Sequence, residues 1–376
     1  MDYQKLFNSE ISGESVKAWK AQGKKAIGLI CCHVPVEIMH ALDVMPVRLR
    51  ATDCTESPDG DTWMSTFSCS YARGILQYWI SGKYDLDGIV TTDGCMMAAR
   101  AFDNAEYIDK KGNVGKYFQQ IGAPRKYGEI EHEFFVNELK DLIAGLEKLT
   151  GNKLTDEKLK ASIAKYNEAR TLIQQVMALR KEKHPVISGE DMLKITLAYS
   201  DVTVEEYIDL LKAFLADAKN RAPITDKRAR LMLIGSALDN PGYLKVIEDK
   251  GGLFVADDIC HGSKTFNYPV EVDDKDVLGS LAKYYLTRIV CPRMMDNRVA
   301  LQKNIVDTCK EYGVAGVVYE KMQYCECWGG ESYFLEPDLK AAGIPMLIVE
   351  REEHLANAGQ LAIRAEAFIE MIEKED

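Results

Sequence analysis

No Cys-x-x-Cys pair occurs anywhere in this 376-residue chain, although it holds ten cysteines. That absence excludes the short ligand pairs of zinc fingers and ribbons. Missing as well are a Gly-x-Gly-x-x-Gly turn after the first apolar run, a Walker-type phosphate loop, a Gly-x-Ser-x-Gly elbow and a His-Glu-x-x-His helix. Positive charge is in deficit: 47 Lys and Arg stand against 58 Asp and Glu, for a net charge of −11. With no local basic patch to offset it, this balance repels a phosphate backbone and excludes nucleic acid as the expected partner. No apolar run approaches the ~20 residues that span a bilayer. The start, Met1 to Lys5, carries an acid and no apolar segment of the secretory kind, so a cytoplasmic protein is expected. In that compartment ten cysteines are not disulfide material, which turns attention to metal or redox chemistry.

The length allows roughly two to three domains at ~150 residues each. Short apolar runs at Ala26–Ile30, Val44–Leu49 and Leu86–Thr92 read as strands, and the segments Val36–Leu42 and Ser70–Gly82 show helical spacing between them. Such alternation predicts parallel strands with crossover helices. From about Glu129 to Asn220 the strand signal disappears, and amphipathic stretches such as Leu154 to Lys183 predict helices with solvated charged faces. Strand signals return at Arg230–Gly235, Leu253–Ala256, Ala315–Tyr319 and Pro345–Val349, and a final helix is expected over Gly359–Ile372. The expected fold is therefore α/β. Two Rossmann-like (flavodoxin-like) parallel-sheet domains, 1–128 and 226–376, flank a helical insert, 129–225.

The cysteines fall where such a fold binds ligands, beyond the carboxyl ends of strands. Cys31 and Cys32 follow the first strand directly. Cys95 follows the third, Cys260 comes shortly after Leu253–Ala256, Cys325 follows the Ala315 to Met322 run, and Cys69 stands at a helix start. Cysteines used as small core residues would fall inside strands and on helix faces, so this distribution predicts one site shared by both halves of the chain. Ligands drawn singly from distant loops suit an iron–sulfur cluster assembled between domains better than zinc. Cys309, on a helix face, reads as a core residue; Cys54 reads as incidental in a polar loop; Cys32 and Cys327 neighbour stronger candidates. Of the six histidines, His33 and His261 adjoin candidate ligands, and solvated helix-start histidines are the simpler expectation for both.

The segments Cys31-Cys-His-Val-Pro35, Pro46-Val-Arg48-Leu, Phe67-Ser-Cys69-Ser, Gly94-Cys95, Cys325-Glu-Cys-Trp and Gly343-Ile-Pro345, with Gly359 to Phe368, give the chain a resemblance to a known family. It resembles the 2-hydroxyacyl-CoA dehydratase and benzoyl-CoA reductase components nearly end to end. The resemblance implies that Cys69, Cys95 and Cys325 hold a 4Fe–4S cluster with one iron free of protein cysteine. It also implies an ATP-dependent activator, with its own iron–sulfur cluster, that supplies low-potential electrons. Cys31, Cys260 and Cys291 match positions that are cysteine in the double-cubane branch of the family. The resemblance to that branch implies a double-cubane 8Fe–9S cofactor on all six cysteines, and otherwise a single 4Fe–4S cluster. Three readings stay open: an iron–sulfur reductase component acting on a small substrate, a subunit of a 2-hydroxyacyl-CoA dehydratase, and a non-catalytic electron carrier. A homodimer is expected, with a heterodimer of homologous subunits as the alternative. No catalytic acid or base is identified.

Overall fold

A parallel strand covered by helices on both faces must be apolar throughout, which is why continuous runs rather than alternating ones marked the strands. The computed structural model, which describes residues 2–266, 268–288 and 291–375, builds two parallel sheets from them. The first sheet contains β1 (Lys25–Leu29), β2 (Val44–Arg48), β3 (Gly88–Thr92) and β4 (Tyr117–Ile121), in spatial order β2-β1-β3-β4. The second contains β5 (Ala229–Gly235), β6 (Gly252–Asp258), β7 (Gly316–Met322) and β8 (Met346–Arg351), in the equivalent order β6-β5-β7-β8. The architecture is the α/β one expected, with two Rossmann-like sheets. In each, the winding direction reverses beside the first strand of the half. Leu29 pairs with Val90 across one reversal and Gly235 with Glu320 across the other. Loops leaving the sheet at such a point diverge and open a crevice.

The differences from expectation are local. The third strand starts at Gly88 rather than Leu86, and the chain there passes close against β4, where only glycine fits: a Cβ on Gly88 would lie 1.9 Å from the Tyr117 carbonyl oxygen. Strand β4 itself carried no readable signal, since this edge strand is mostly half-buried and its Tyr-Phe-Gln-Gln sequence mixes polarity. The long helix expected to Lys183 runs from Asp156 to Ala178, starting at Thr155, whose hydroxyl accepts the Lys158 N–H at 3.3 Å. It gives way to a 3-10 turn at Leu179–Lys181, where Arg180 turns inward to Asp257 at 3.1 Å.

The later helices of the middle segment share a core of their own around Tyr166, Ile173, Ile195, Tyr207 and Phe214, and others of its faces reach the sheets. Helix Glu129–Thr150 buries Phe135, Leu139, Leu142 and Leu146 with Ile27, Leu29 and Val90 of the first sheet. Helix Gly189–Ala198 gives Leu193 and Leu197 to the core of the second. Helix Val277–Thr287, from the C-terminal half, packs Val277, Leu281 and Leu286 into the first-sheet core, so the two halves clasp one another. Glu37, fully buried after β1, is ion-paired with Arg170 and accepts the Tyr285 hydroxyl at 2.8 Å. Removing one partner of such a buried pair costs about 3–5 kcal/mol, because the other charge is stranded. The pair thereby fixes the loop that carries Cys31 and Cys32. Among the described residues no helix is long and apolar enough to cross a membrane.

Candidate functional site

The strand ends of both sheets meet. Cys31 and Cys32 leave β1, Cys95 leaves β3, Cys260 leaves β6 and Cys325 leaves β7, while Cys69 opens helix Ser70–Ile80 and Cys291 precedes helix Arg298–Glu311. The structure brings Cys31, Cys69, Cys95, Cys260, Cys291 and Cys325 to the wall of one cavity, and adds Cys32 and Cys327 to it. The interior room is about 110 Å³, on a measure where one water needs ~10–15 Å³. No Asp or Glu lines this cavity among the described residues. Cys54 and Cys309 lie elsewhere, Cys54 with its sulfur 3.4 Å from the Glu56 carbonyl and Cys309 in the core 3.6 Å from the Met232 sulfur.

The eight thiols form two groups with a link between them. Cys69, Cys95 and Cys325 occupy the same local position, the N-cap of a helix: Ser70–Ile80, Met96–Gly112 and Glu326–Gly329 respectively. Backbone N–H groups at a helix start have no intrahelical partner, and those of Ala72, Ala98 and Trp328 bear on the three sulfurs and favour thiolate. Burial opposes them, pushing Cys69 up to about 12 and Cys325 upward too, with mutual repulsion among the three sulfurs adding to the rise. Cys95 goes the other way, to about 6, because the Cys327 thiol donates to it.

The second group comprises Cys260, Cys291 and the Cys31–Cys32 pair. Burial pushes Cys260 up to about 12, and repulsion from Cys291 and Cys32 adds to it. Cys291 is lowered by the neighbouring Cys327 thiol, which stands between the groups, next to Cys95 on one side and Cys291 on the other, with a single proton to offer to either. Its sulfur lies 3.8 Å from the Gly94 carbonyl oxygen. Within the adjacent pair Cys31 is the donor, held up, and Cys32 carries the charge, held down. His33 Nδ1 is 3.7 Å from Cys31 Sγ and 3.9 Å from Cys32 Sγ, and the ligand atoms of these three residues all lie within 4.8 Å of one another.

His33 and His261, expected to be solvated, are instead 1% and 6% exposed. Burial lowers both, His261 to about 3, so they serve as neutral imidazoles. The residues that sequence reasoning missed are three arginines. Arg293 donates twice to the Ala123 carbonyl, Arg288 donates to the Cys32 carbonyl, and Arg48 makes no hydrogen bond among the described residues. None of the three pairs with a carboxylate there, and the Nε of each is buried without a partner. Burial works against the Arg48 charge, but the Cys32 thiolate nearby helps to hold the guanidinium ionised. Arg48 ends β2, so its place at a strand terminus was the available signal. A donor set of eight thiols and the His33 imidazole, with Arg48 and Arg293 on the same wall and no carboxylate among the described residues, suits a soft, anionic metal–sulfur group; hard Mg²⁺ and Ca²⁺ would demand carboxylate oxygens.

Comparison with known proteins bears on the same chain. Residues 31–372 match the family model described as 2-hydroxyglutaryl-CoA dehydratase, D-component. The chain is 27% identical over 321 residues to a benzoyl-CoA reductase component of Thauera aromatica, covering 83% of this chain and 82% of that one. It is 24% identical over 358 residues to the (R)-phenyllactyl-CoA dehydratase beta subunit of Clostridium sporogenes, covering 95% and 94%. With the (R)-2-hydroxyglutaryl-CoA dehydratase beta subunit of Acidaminococcus fermentans it shares 23% over 359 residues, 94% of each chain. The match extends from the first cysteine of the cavity to the last helix, and the chain belongs to the 2-hydroxyglutaryl-CoA dehydratase D-component family.

Proposed function

We propose that the chain is an iron–sulfur reductase component with a double-cubane cluster. In this reading Cys69, Cys95 and Cys325 hold one cubane, and Cys31, Cys260 and Cys291 hold the other. The observation that carries it is the pairing of two thiol groups on one acid-free cavity. When bound, the cluster supplies low-potential electrons for reduction of a small substrate. The protein's own residues do the rest. Helix-start N–H groups favour thiolate at the first three cysteines, and Arg48, Arg288 and Arg293 balance anionic charge near the others.

Electrons must enter from outside, and the surface beside the first trio is built for contact. Phe67, Met96 and Tyr324 are 71%, 61% and 40% exposed, each within two residues of a cysteine of that trio. The Phe67 and Tyr324 rings meet edge-on at 5.7 Å. Large exposed apolar side chains grouped in this way mark a docking surface, here assigned to an ATP-dependent activator with its own cluster. The chain carries no phosphate loop, which leaves ATP chemistry to that partner. A homodimer is the proposed assembly.

The names of the dehydratase relatives favour a second reading, a 2-hydroxyacyl-CoA dehydratase subunit with one 4Fe–4S cluster and a homologous partner subunit. Anaerobic reconstitution with iron and sulfide tests both. Two cubanes bind roughly eight irons per chain and one binds roughly four. A colourless product, or stoichiometric zinc in its place, overturns the cluster assignment altogether.

A further inference from the structure

A second cavity backs onto the first. The wall they share contains Arg48, Cys31, Cys32 and Cys260. The second cavity is lined by four arginines and, among the described residues, by no Asp or Glu. Two of those arginines are answered from behind: Arg50 by Asp201, with both contacts at 2.9 Å, and Arg170 by Glu37. The other two, Arg48 and Arg288, have no carboxylate partner among the described residues, and the Nε of each is buried and unpaired. Arg288 is 2% exposed and lies against the Tyr285 ring, 4.4 Å from its centre. A buried guanidinium without a carboxylate is costly, and Arg288, with the half-buried Arg48 on the same cavity, sets a preference for an anion there.

The room available is about 50 Å³. Where one water takes ~10–15 Å³, that is the space of about three to five waters, the size of a small anion. We propose that this cavity is a binding site for a small planar anion, a carboxylate or a nitrogen oxyanion, whose oxygens meet the guanidinium of Arg48. A planar oxyanion matches the parallel N–H pair of a guanidinium, which a spherical ion does not. The site abuts the sulfurs of Cys31, Cys32 and Cys260, so its occupant would stand beside the second thiol group. The binding itself requires no iron, and the proposal stands or falls apart from the cluster reading.

Formate and nitrate serve as probes, with formamide as the uncharged counterpart of formate. Calorimetric titration of the full-length protein under anaerobic conditions is expected to show saturable binding of both anions and none of formamide. Arg48→Met should weaken binding by about tenfold or more. Arg48→Lys, which keeps the charge and loses the fork, should weaken it less, and unchanged thermal unfolding would show that either variant is folded. Equal binding of formate and formamide, no binding of either anion, or wild-type affinity in a folded Arg48→Met overturns the proposal. So does binding of coenzyme A where formate and nitrate fail.

Discussion

The two thiol groups share a cavity and differ in how the protein accommodates their charge. Cys69, Cys95 and Cys325 rely on backbone dipoles, one helix start each, and sit beside exposed aromatic residues. Cys31 and Cys260 rely on formal charge, from Arg48 and Arg293 at the first and from Lys264 and Arg48 at the second, with a second cavity behind, and Cys291 adds the Arg293 backbone N–H to the Lys264 charge. Dipoles from short helix starts are local and leave the surface free for a partner, whereas guanidiniums act over a longer range and attract anions. Under the proposed function this asymmetry gives direction: electrons enter past the first group and substrate meets the second.

The largest effect should separate ligands from bystanders. Cys69→Ala, Cys95→Ala and Cys325→Ala are each expected to lose most of the reconstituted iron, measured per chain after anaerobic desalting. Cys54→Ala and Cys309→Ala should keep it, the latter losing only packing worth about 1–2 kcal/mol. Full iron retention in all three of the first set removes the cluster from this site. The second group should behave differently. Cys31→Ala, Cys260→Ala and Cys291→Ala are expected to bring iron down to about half while the first cubane's paramagnetic signal after reduction persists. Full iron in the triple variant would leave one cluster and favour the dehydratase-subunit reading.

Much of this contrast was legible in the sequence, because strand ends can be read from apolar runs and a parallel sheet puts its ligands there. Cys31, Cys95, Cys260 and Cys325 needed only that rule. Cys291 did not follow from it, since it belongs to no strand end and was reached through the family resemblance. The arginines were out of reach for a different reason. An arginine is informative when its carboxylate is missing, and whether Arg48 or Arg288 lacks one depends on residues far away in the chain. The same holds for His33 and His261, whose burial comes from the closing of the two halves over them.

Cys327 sharpens the comparison, since it belongs to neither group and touches both. Its thiol, when its one proton faces Cys95, lowers that residue to about 6. In metal-free protein at neutral pH, Cys327→Ala should therefore raise the Cys95 pKa and slow its alkylation by iodoacetamide, read by mass spectrometry of the Cys95 peptide. Reconstituted iron is expected to fall only slightly. A loss exceeding that of Cys325→Ala would make Cys327 the ligand of that pair.

The last contrast lies behind the cavity, where two carboxyl residues of the C-terminal half meet the N-terminal half, Asp239 accepting the Ala51 N–H and the Glu353 N–H donating to the Ser70 hydroxyl, each at 2.7 Å. Asp239 is fully buried and Glu353 is 2% exposed; Asp239 Oδ1 and Glu353 Oε1 each lack a donor, and the groups face one another. A single shared proton satisfies both. Burial, then Asp239, raises Glu353 well above the carboxylate range, while the Glu353 proton, the Arg50 charge and the Ala51 N–H bring Asp239 down against its own burial. Glu353 thus keeps a proton in the folded chain that it loses in the unfolded chain above pH ~4.3. A raised carboxyl contributes stability that is present below its unfolded pKa and is lost as pH climbs toward its folded one. Glu353→Gln keeps a donor toward Asp239 and removes the titration. Relative to the variant, wild type should lose up to about 1.4 kcal/mol of stability per pH unit above the unfolded value. Denaturant unfolding between pH 5 and 9 measures this as diverging curves; parallel curves would mean that the two carboxylates do not share a proton.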